Sequence, residues 1–427
     1  MLNYEKFREI FLSIGLLLLS TAFLIAGSGL MNTLVSLKFK MTGHSSLLIG
    51  GISAMYFSGL LFGSLKISAL IKIVGYVKSF TTLASIMAIA LILPGMNDSI
   101  FIFFTCRFFQ GICIAGLYVI IESWIICSSS ENNRGKTLAM YMIVLYGSYS
   151  MGQFFLSEDK ILTILPFCIS TIFVIGSIIP LSIFPVTPPL LEEHTSISLK
   201  KIYNASQSGF IGCFISGIFI SAIFSMLPLY IEEIADNTNH IATAMAITFL
   251  AGVSVQYPLG SLSDKMDRQK IQIMLNVVYS ILLLIFAVLE YYYFINYYVL
   301  LLLVAVIGMF SFAIYPISMN LVCDNLKRSE IIRGTEGLTI AFGVGSIIGP
   351  IYVSLAIKIF GFSGYSISYS ILTIFLAIFT FIHFDKSKNE KQMPVEEITT
   401  PFVPYSQIDL GAIPSNLKSN DNKVDYN

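Results

Sequence analysis

Long apolar stretches separated by short polar segments fill most of this chain. Twelve of these stretches approach about 20 residues, the length that a helix needs to cross the hydrocarbon core of a bilayer. They predict an all-α polytopic membrane protein with transmembrane helices at residues 10–37, 46–66, 76–95, 99–127, 137–157, 161–184, 207–230, 241–262, 271–290, 296–322, 334–358 and 363–384. The first stretch is too long for the apolar core of a signal peptide, so we interpret it as the first membrane span.

Lys and Arg residues are distributed unevenly between the segments that join these helices. If the N-terminus lies in the cytoplasm, 20 of the 25 Lys and Arg residues fall on the inner side and 4 on the outer side, with Arg107 left inside a span. Because inner segments carry an excess of basic residues, this pattern predicts that both termini are cytoplasmic.

Residues of the same type recur at a constant offset, which indicates an internal duplication. Three pairs lie 197 positions apart: Gly63 and Gly260, Tyr118 and Tyr315, and Gly152 and Gly349. Such repeats are typical of transporters. We predict an N-terminal six-helix bundle at 1–184, a cytoplasmic linker at 185–206, a C-terminal six-helix bundle at 207–384 and a disordered cytoplasmic tail at 385–427. The tail is too polar and too rich in Pro to bury a core.

The composition supports a membrane protein and argues against several other classes. The chain is 56% hydrophobic and 12% charged, whereas an ordinary globular domain is about 25% charged. Its net charge is +0, and no basic tract with interleaved aromatic residues indicates a nucleic-acid partner. The six Cys residues are scattered singly and the four His residues do not cluster, so we expect no metal and no cofactor. No phosphate-binding loop or catalytic constellation indicates an enzyme.

A charged segment between the eighth and ninth predicted helices carries a family resemblance. It reads GSLSDKMDRQK from Gly260 to Lys270, and a weaker copy, GSLKISALIKIVG, begins at Gly63. The first segment matches or conservatively replaces most of the pattern G-x-L-x-D-R-x-G-R-[KR], so the chain resembles the major facilitator superfamily. The runs RFFQG from Arg107 and GLYVIIES from Gly116 are similar to those of the YcaD-type permeases in that superfamily.

This resemblance covers residues 10–384 and implies the fold of that superfamily, with two pseudo-symmetric halves. It implies a secondary active transporter that works by alternating access in the bacterial inner membrane. The partners it implies are the lipid bilayer, a small organic solute and a coupling proton or solute gradient, and we expect a monomer. Two alternatives stay open, namely a drug or metabolite efflux pump of the same fold and a non-transporting membrane sensor or assembly factor.

Arg107 is the only basic residue well inside a predicted span. A charge at membrane depth costs at least about 2.5–3.5 kcal/mol on insertion scales, so it normally faces a cavity or a partner. On a helix that turns 100° per residue, four residues fall within about 60° of one another and form a polar stripe: Arg107, Gly111, Tyr118 and Glu122. Gln110 lies beside this stripe. The stripe predicts a cavity wall in which Arg107 binds an anionic group or senses proton movement. The alternative is an Arg that helix carbonyls satisfy and that only locks the bundle.

Other polar residues inside the predicted spans can offer hydrogen bonds to a small polar solute, although Tyr also packs inside bundles and at membrane interfaces. They are Asn32, Tyr56, Gln110, Tyr118, Tyr141, Tyr146, Gln153, Gln256, Tyr257, Tyr315 and Asn320. Together with Arg107, these residues are the candidates for solute binding and coupling.

A second set of residues is expected to hold the two halves together on the cytoplasmic side, and we call them the latch candidates. They are Gly63, Lys66, Lys72, Glu122, Gly260, Asp264, Arg268, Arg333 and Glu336. We expect Glu122 to meet Lys66 or Lys72, with a proton-carrying role or neither role as alternatives. We expect Asp264 to reach Arg333 and Glu336, with a solvated turn as the alternative. Exposed ion pairs contribute only about 0–1 kcal/mol, so a latch needs several of them.

Overall fold

The protein is described by a computed structural model over residues 2–128, 134–156, 160–183, 198–235, 237–263, 266–292, 296–326 and 331–384. Within these ranges the regular structure is entirely helical. The predicted tail at 385–427 lies outside the described residues, as does the linker up to residue 197.

The helices follow one another with short connections. They are α1 (Leu2–Met41), α2 (Ser46–Val74), α3 (Tyr76–Met96), α4 (Ile100–Ser128), α5 (Arg134–Gln153), α6 (Leu165–Gly176), α7 (Ile178–Ile183), α8 (Leu199–Ala205), α9 (Gln207–Ser225), α10 (Leu227–Glu232), α11 (Thr238–Ser254), α12 (Gln256–Ser263), α13 (Arg268–Tyr291), α14 (Tyr297–Cys323), α15 (Ile331–Phe360) and α16 (Gly364–Ile382), with a 3₁₀ turn at Gly361–Ser363.

Short polar side chains fix where several of these helices begin. An oxygen of the residue before the helix accepts a hydrogen bond from a backbone N–H of the first turn, which would otherwise lack a partner. This cap is formed by Ser45 at α2, Ser206 at α9, Asn237 at α11, Asp267 at α13 and Asn296 at α14. The polar residues between apolar stretches therefore set the ends of the membrane-length helices.

Ten helical segments in the described part of the chain are long and apolar enough to cross a membrane. The other two predicted spans, at 137–157 and 241–262, fall on α5 and on the α11–α12 pair. Helix α5 has 20 residues but is rich in Gly, Ser and Tyr. Helix α11 has 17 residues and is followed by the separate helix α12. These segments line the middle of the molecule, where a wholly apolar surface is not needed.

The helices pack in two groups. Helices α1–α7 pack mainly on one another and form the first group, and helices α8–α16 form the second group. The two groups meet chiefly where α2 lies along α15 and where α5 lies along α11. A broad apolar core runs through both groups, with Phe80, Phe167, Phe219 and Phe249 completely buried.

Glycines allow close helix crossings at equivalent places in both groups. Gly111 of α4 abuts the backbone carbonyl of Tyr56 on α2, leaving no room for a Cβ atom. Gly308 of α14 lies 197 positions after Gly111 and abuts the carbonyl of Thr248 on α11 in the same way. Small residues at such crossings let helices approach closely in a membrane. The same repeat is seen at Gly152, where α5 crosses α1, and at Gly349, where α15 crosses α9.

Candidate functional site

Arg107 lies at the centre of a buried polar network in the first group. Its residue is 3% exposed. The guanidinium Nη2 donates to Asn32 Oδ1 on α1 at 2.8 Å, and Nη1 donates to Gln110 Oε1, one turn along α4, at 3.0 Å. The guanidinium carbon lies 4.2 Å from the centre of the Tyr56 ring on α2, a favourable cation–π distance. Three helices therefore hold this one charge.

Arg107 has no carboxylate partner among the described residues. The ion pairs described there involve other side chains, and the acceptors of Arg107 are neutral amide oxygens. Its Nε is buried without a hydrogen bond. A buried charge without a counter-charge is costly, and it is normally kept for a function. Gln110 is itself fixed, because its Nε2 donates to the Ala90 carbonyl at 2.7 Å.

A small cavity lies next to this network, between the two groups. Its volume is about 20 Å³, which is room for about one water molecule. The lining residues are mostly aromatic and come from both groups: Asn32, Tyr56, Phe57, Leu60, Tyr118, Leu145, Tyr146, Tyr149, Phe224 and Phe312. Two of them, Asn32 and Tyr56, also contact Arg107 directly.

Tyrosines connect the cavity to the second group. The Tyr118 and Tyr149 hydroxyls share a hydrogen bond of 2.7 Å. The Tyr149 ring stacks on Phe249 with ring centres 5.3 Å apart and lies 5.0 Å from Phe224. Sequence reasoning did not single out Tyr149. Its contacts explain why the cavity is closed, because its ring occupies space between the groups.

Glu122 lies further along α4 and is 2% exposed. Its Oε1 accepts a hydrogen bond of 2.9 Å from Tyr141 on α5. The expected pairing with Lys66 is absent, because Lys66 is exposed and Glu122 is turned into the bundle. The side chain of Lys72 lies outside the described residues. Tyr315 of α14 is also buried.

Two further solute candidates lie away from the centre of the cavity. Gln153 is held within the first group, since it accepts from Thr33 at 2.7 Å and donates to two backbone carbonyls of α1 and α5. This arrangement joins two helices and leaves little of the amide for a solute. Gln256 begins α12 and is partly exposed, beside the hydroxyl of Tyr146.

The latch candidates of the second group are only partly described. Asp264 and the side chains of Arg333 and Glu336 lie outside the described residues, and nothing beyond the backbone of Gly260 is described. Arg268 forms an ion pair with Asp324, which directly follows α14. Sequence reasoning missed Asp324, because a polar residue just after an apolar stretch looks like any helix end.

The weaker copy of the charged segment, which begins at Gly63, starts inside helix α2. Helix α2 continues to Val74, and the chain turns at Gly75, whose φ is 88°. Gly63 lies inside α2, where a Cβ atom would meet the Ile112 carbonyl at 2.7 Å. Gly63 therefore lets α4 approach α2 closely, and its part in a cytoplasmic latch stays a prediction.

Contacts between the groups cluster at the end of the molecule that holds the α1–α2 turn, which we call the α1–α2 end. Ser36 Oγ on α1 donates to the Ser225 carbonyl on α9 at 2.7 Å, and Lys40 pairs with Glu233 just after α10. Ser150 of α5 donates to the Ala246 carbonyl on α11 at 3.4 Å. The two groups are thus joined at this end by polar contacts as well as by apolar packing.

A second buried acid, Glu290, lies in the second group at this same end. It is 2% exposed and accepts hydrogen bonds from Tyr230 on α10 and from Ser366 on α16. Sequence reasoning passed over Glu290, because the residue ends a predicted span and acids at span ends usually face water. The described residues contain no group of three His, Cys, Asp or Glu side chains that could hold a metal ion.

Two groups of membrane-length helices, with a small cavity between them next to a buried polar network, are typical of a helical membrane carrier. The family model described as the Major Facilitator Superfamily matches residues 16–292 and 209–413, and the chain belongs to this superfamily. The resemblance seen in the sequence is thereby confirmed. The superfamily consists of multi-pass membrane transporters and not of enzymes.

Individual relatives support the same assignment. The chain is 29% identical over 376 residues to a protein of Escherichia coli O45:K1 (strain S88 / ExPEC) named "Uncharacterized MFS-type transporter YcaD", covering 86% of this chain and 92% of that one. The structure of the present chain is similar to that of the nucleoside transporter NupG, with a TM-score of 0.71 and 14% identity. The match covers 87% of this chain and 99% of that one. A D-xylose-proton symporter gives a TM-score of 0.68, 14% identity, and coverage of 90% and 100%. At this identity the two solved structures show the fold alone.

Proposed function

We propose that the protein is a secondary active transporter that moves a small organic anion by alternating access. The observation that carries this proposal is Arg107, buried against two residues of the central cavity and without a carboxylate partner among the described residues. An anionic group of the solute would supply the missing counter-charge, and a guanidinium fork suits carboxylate or phosphate oxygens. Asn32 and Tyr56 would orient the solute from the cavity wall.

We further propose that α5 and the α11–α12 pair complete a set of twelve spans in two six-helix halves, at 1–184 and 207–384. The repeated glycine crossings at Gly111 and Gly308 support the duplication. The excess of basic residues in alternate connections supports cytoplasmic termini, a cytoplasmic linker at 185–206 and an α1–α2 end that faces outward. The site of action is the bacterial inner membrane, and the carrier works as a monomer.

At about 20 Å³, the cavity is too small to hold an organic solute. Loading then requires the two halves to separate at one end. The central aromatic residues Tyr149, Phe224 and Phe312 would have to move apart to admit a solute. Glu122 lies on the same helix as Arg107 and is hydrogen-bonded to Tyr141, and we assign it a gating or proton-coupling role in that separation.

Flux measurements test this function directly. Purified protein is reconstituted in proteoliposomes and assayed against a panel of labelled small carboxylates, phosphates, nucleosides and sugars, with and without a pH gradient. We expect uptake of at least one anionic solute, which Arg107→Ala abolishes and Arg107→Lys impairs, because the ammonium group lacks the planar fork. Lys358→Ala, which removes an exposed cation, is the matched control and should transport normally.

Two results would overturn parts of the proposal. Wild-type flux equal to that of empty liposomes across the whole panel would contradict transport and favour the sensor or assembly-factor alternative. Normal uptake kinetics in both Arg107 variants would keep the carrier but remove Arg107 from the solute site. Glu122→Gln tests coupling separately, since it should abolish acceleration by a pH gradient while solute exchange persists.

A further inference from the structure

Glu290 lies in a pocket of hydroxyl groups at the α1–α2 end. Its Oε1 accepts hydrogen bonds from Tyr230 Oη and, at 2.5 Å, from Ser366 Oγ. Ser363, in the 3₁₀ turn before α16, is adjacent to the same carboxyl group. One side chain therefore joins α10, α13 and α16. Its second oxygen, Oε2, is buried and makes no hydrogen bond.

The described surroundings of Glu290 offer hydroxyl donors to one oxygen but no positive charge to balance a carboxylate. A buried anion needs a cation or several hydrogen-bond donors to replace its lost hydration. No Lys, Arg or His side chain in the described part of the chain forms an ion pair with Glu290. Among the described residues, the phenol of Tyr230 on α10 is the titratable group that donates to it, and the ring of Tyr365 on α16 lies 5.2 Å from that of Tyr230. A proton on Oε2 would remove the buried charge.

The same pocket holds the short helix that closes the α1–α2 end. Helix α10 follows a break after Ser225 and carries Tyr230, the donor to Glu290. Its last turn leads into Glu233, which pairs with Lys40 of α1. At its other end, the Ser225 carbonyl accepts from Ser36 of α1. Helix α10 is thus bound on one side to Glu290 and on the other side to the first group.

We propose that Glu290 is a proton-binding site that controls closure of the α1–α2 end. With the proton bound, the neutral carboxyl keeps Tyr230 and Ser366 in place, and α10 stays against α1. When the proton leaves to water, the carboxylate draws water into the pocket, α10 separates from α13, and the Lys40–Glu233 pair opens. Acidic conditions therefore favour the closed end and alkaline conditions the open end. The link to gating rests on the proposed alternating access, whereas proton binding itself does not.

Infrared spectroscopy of the purified protein detects the proton without any transport. The carbonyl stretching band of a protonated carboxyl group is followed while the pH is raised. We expect a band that disappears with rising pH, is missing in Glu290→Gln, and is kept in Glu122→Gln, which removes the other acid that is buried in the described part of the chain. An unchanged titration in Glu290→Gln, or no titrating band in the wild type at any pH, would overturn the proposal.

The movement is measured by spin labels on Thr42→Cys and Asn239→Cys, both exposed at the α1–α2 end. Protein without the two introduced cysteines shows any labelling of the native ones. We expect the label distance to be short at low pH and to lengthen at high pH in the wild type. Glu290→Gln, which keeps the shape of a neutral acid, should stay short at every pH. Asp98→Asn, which changes an exposed acid at the same end, should behave like the wild type.

The outcomes separate this inference from the transport proposal. If Glu290→Gln retains the pH-dependent distance change, Glu290 does not control closure. If Glu290→Gln does not fold, Tyr230→Phe serves in its place, and it should lose most of the pH-dependent change because its hydroxyl no longer reaches the carboxyl. A change in distance that follows Na⁺ at constant pH would replace the proton by a metal cation and overturn the proposal. Loss of flux alone leaves the infrared result intact.

Discussion

The two halves share a framework of helix crossings but differ in the charges that they bury. The glycines at 111 and 308 make matching close contacts. The first half buries Arg107 and Glu122 on α4, whereas the positions 197 residues later on α14 are Val304 and Met319, both buried and apolar. If the two halves arose by duplication, as we propose, the packing was preserved while the polar chemistry diverged. A close helix crossing needs a small residue in each half, so few substitutions are tolerated there. A solute-binding group, by contrast, needs to be present in only one half.

The second half has its own buried acid, in a different place. Glu290 lies near the α1–α2 end of α13, and the position 197 residues earlier is Leu93, which is 44% exposed on the surface of α3. Arg107 is held by amide groups at the centre, and Glu290 by hydroxyl groups near one end. We interpret the first half as the part that recognises the solute and the second as the part that responds to protons.

The largest effect is expected when Arg107 is replaced by valine, the residue found 197 positions later at Val304. Arg107→Val should lower flux at least about 100-fold, because each tenfold loss corresponds to about 1.4 kcal/mol and a desolvated charge contact is worth about 2–5 kcal/mol. The free energy of unfolding should be unchanged or higher, since an apolar residue replaces a buried charge. Flux and thermal unfolding are measured together, with Val304→Ala as the control. Full flux in Arg107→Val would contradict the asymmetry.

The shared framework predicts equal damage in both halves. Gly111→Ala and Gly308→Ala should each lower the free energy of unfolding by about 3 kcal/mol, because the added methyl group overlaps a backbone carbonyl that cannot move alone. Gly147→Ala, on α5, meets nothing within 4 Å and should be neutral or slightly stabilising. Thermal unfolding in detergent compares the three. A large effect in one half only would argue against equivalent crossings.

A smaller difference is expected between the stability losses caused by removing the hydroxyl groups of two buried tyrosines. Tyr141→Phe removes the donor to Glu122 and should cost about 2 kcal/mol, because a buried carboxyl loses its hydrogen bond. Tyr279→Phe removes a hydrogen bond of 2.9 Å to Ser311 in the second half and should cost about 1 kcal/mol, since both partners are neutral hydroxyls. Denaturant titration of the two variants measures the difference. Equal costs would mean that Glu122 does not depend on Tyr141.

The smallest effect is expected from the solvent-exposed ion pair that joins the two halves at the α1–α2 end. Lys40 and Glu233 are both partly exposed, so Lys40→Ala should shift the closed population by at most about 1 kcal/mol. Added salt should reduce the wild-type closed population and leave the variant unaffected, because exposed charges are screened. The spin-label distance at the α1–α2 end gives the population. A salt response that persists in Lys40→Ala would assign it to other charges.

Much of the fold can be predicted from the apolar stretches alone. Arg107 can be predicted as a functional residue because it places a charge inside one of these stretches. The partners of Arg107 could not be predicted, because Asn32 lies 75 positions away and reaches Arg107 only through the packing of α1 on α4. Glu122 was identified but given a different partner: a Tyr on the next helix satisfies it, which no spacing rule predicts. Gly63 was selected from a sequence motif, and the structure adds that this glycine lets α4 pack closely on α2.

Glu290 shows a second limit of sequence reasoning. An acid at the end of an apolar stretch normally faces water, and YYY follows it, as at a membrane interface. Its burial depends on the break between α9 and α10, which brings Tyr230 over the carboxyl, and on the turn before α16. Both are tertiary features. The local pattern around residue 290 contains no trace of them.

The central claim is that Arg107 recognises an anionic solute in the central cavity. Its most direct measurement is a thermal-shift screen of purified wild type and Arg107→Lys against small carboxylates and phosphates, each paired with an uncharged analogue. The account predicts that an anionic compound raises the unfolding temperature of the wild type, that its uncharged analogue does not, and that the shift is lost in Arg107→Lys. Stabilisation by an uncharged compound that is equal in wild type and Arg107→Lys would contradict it.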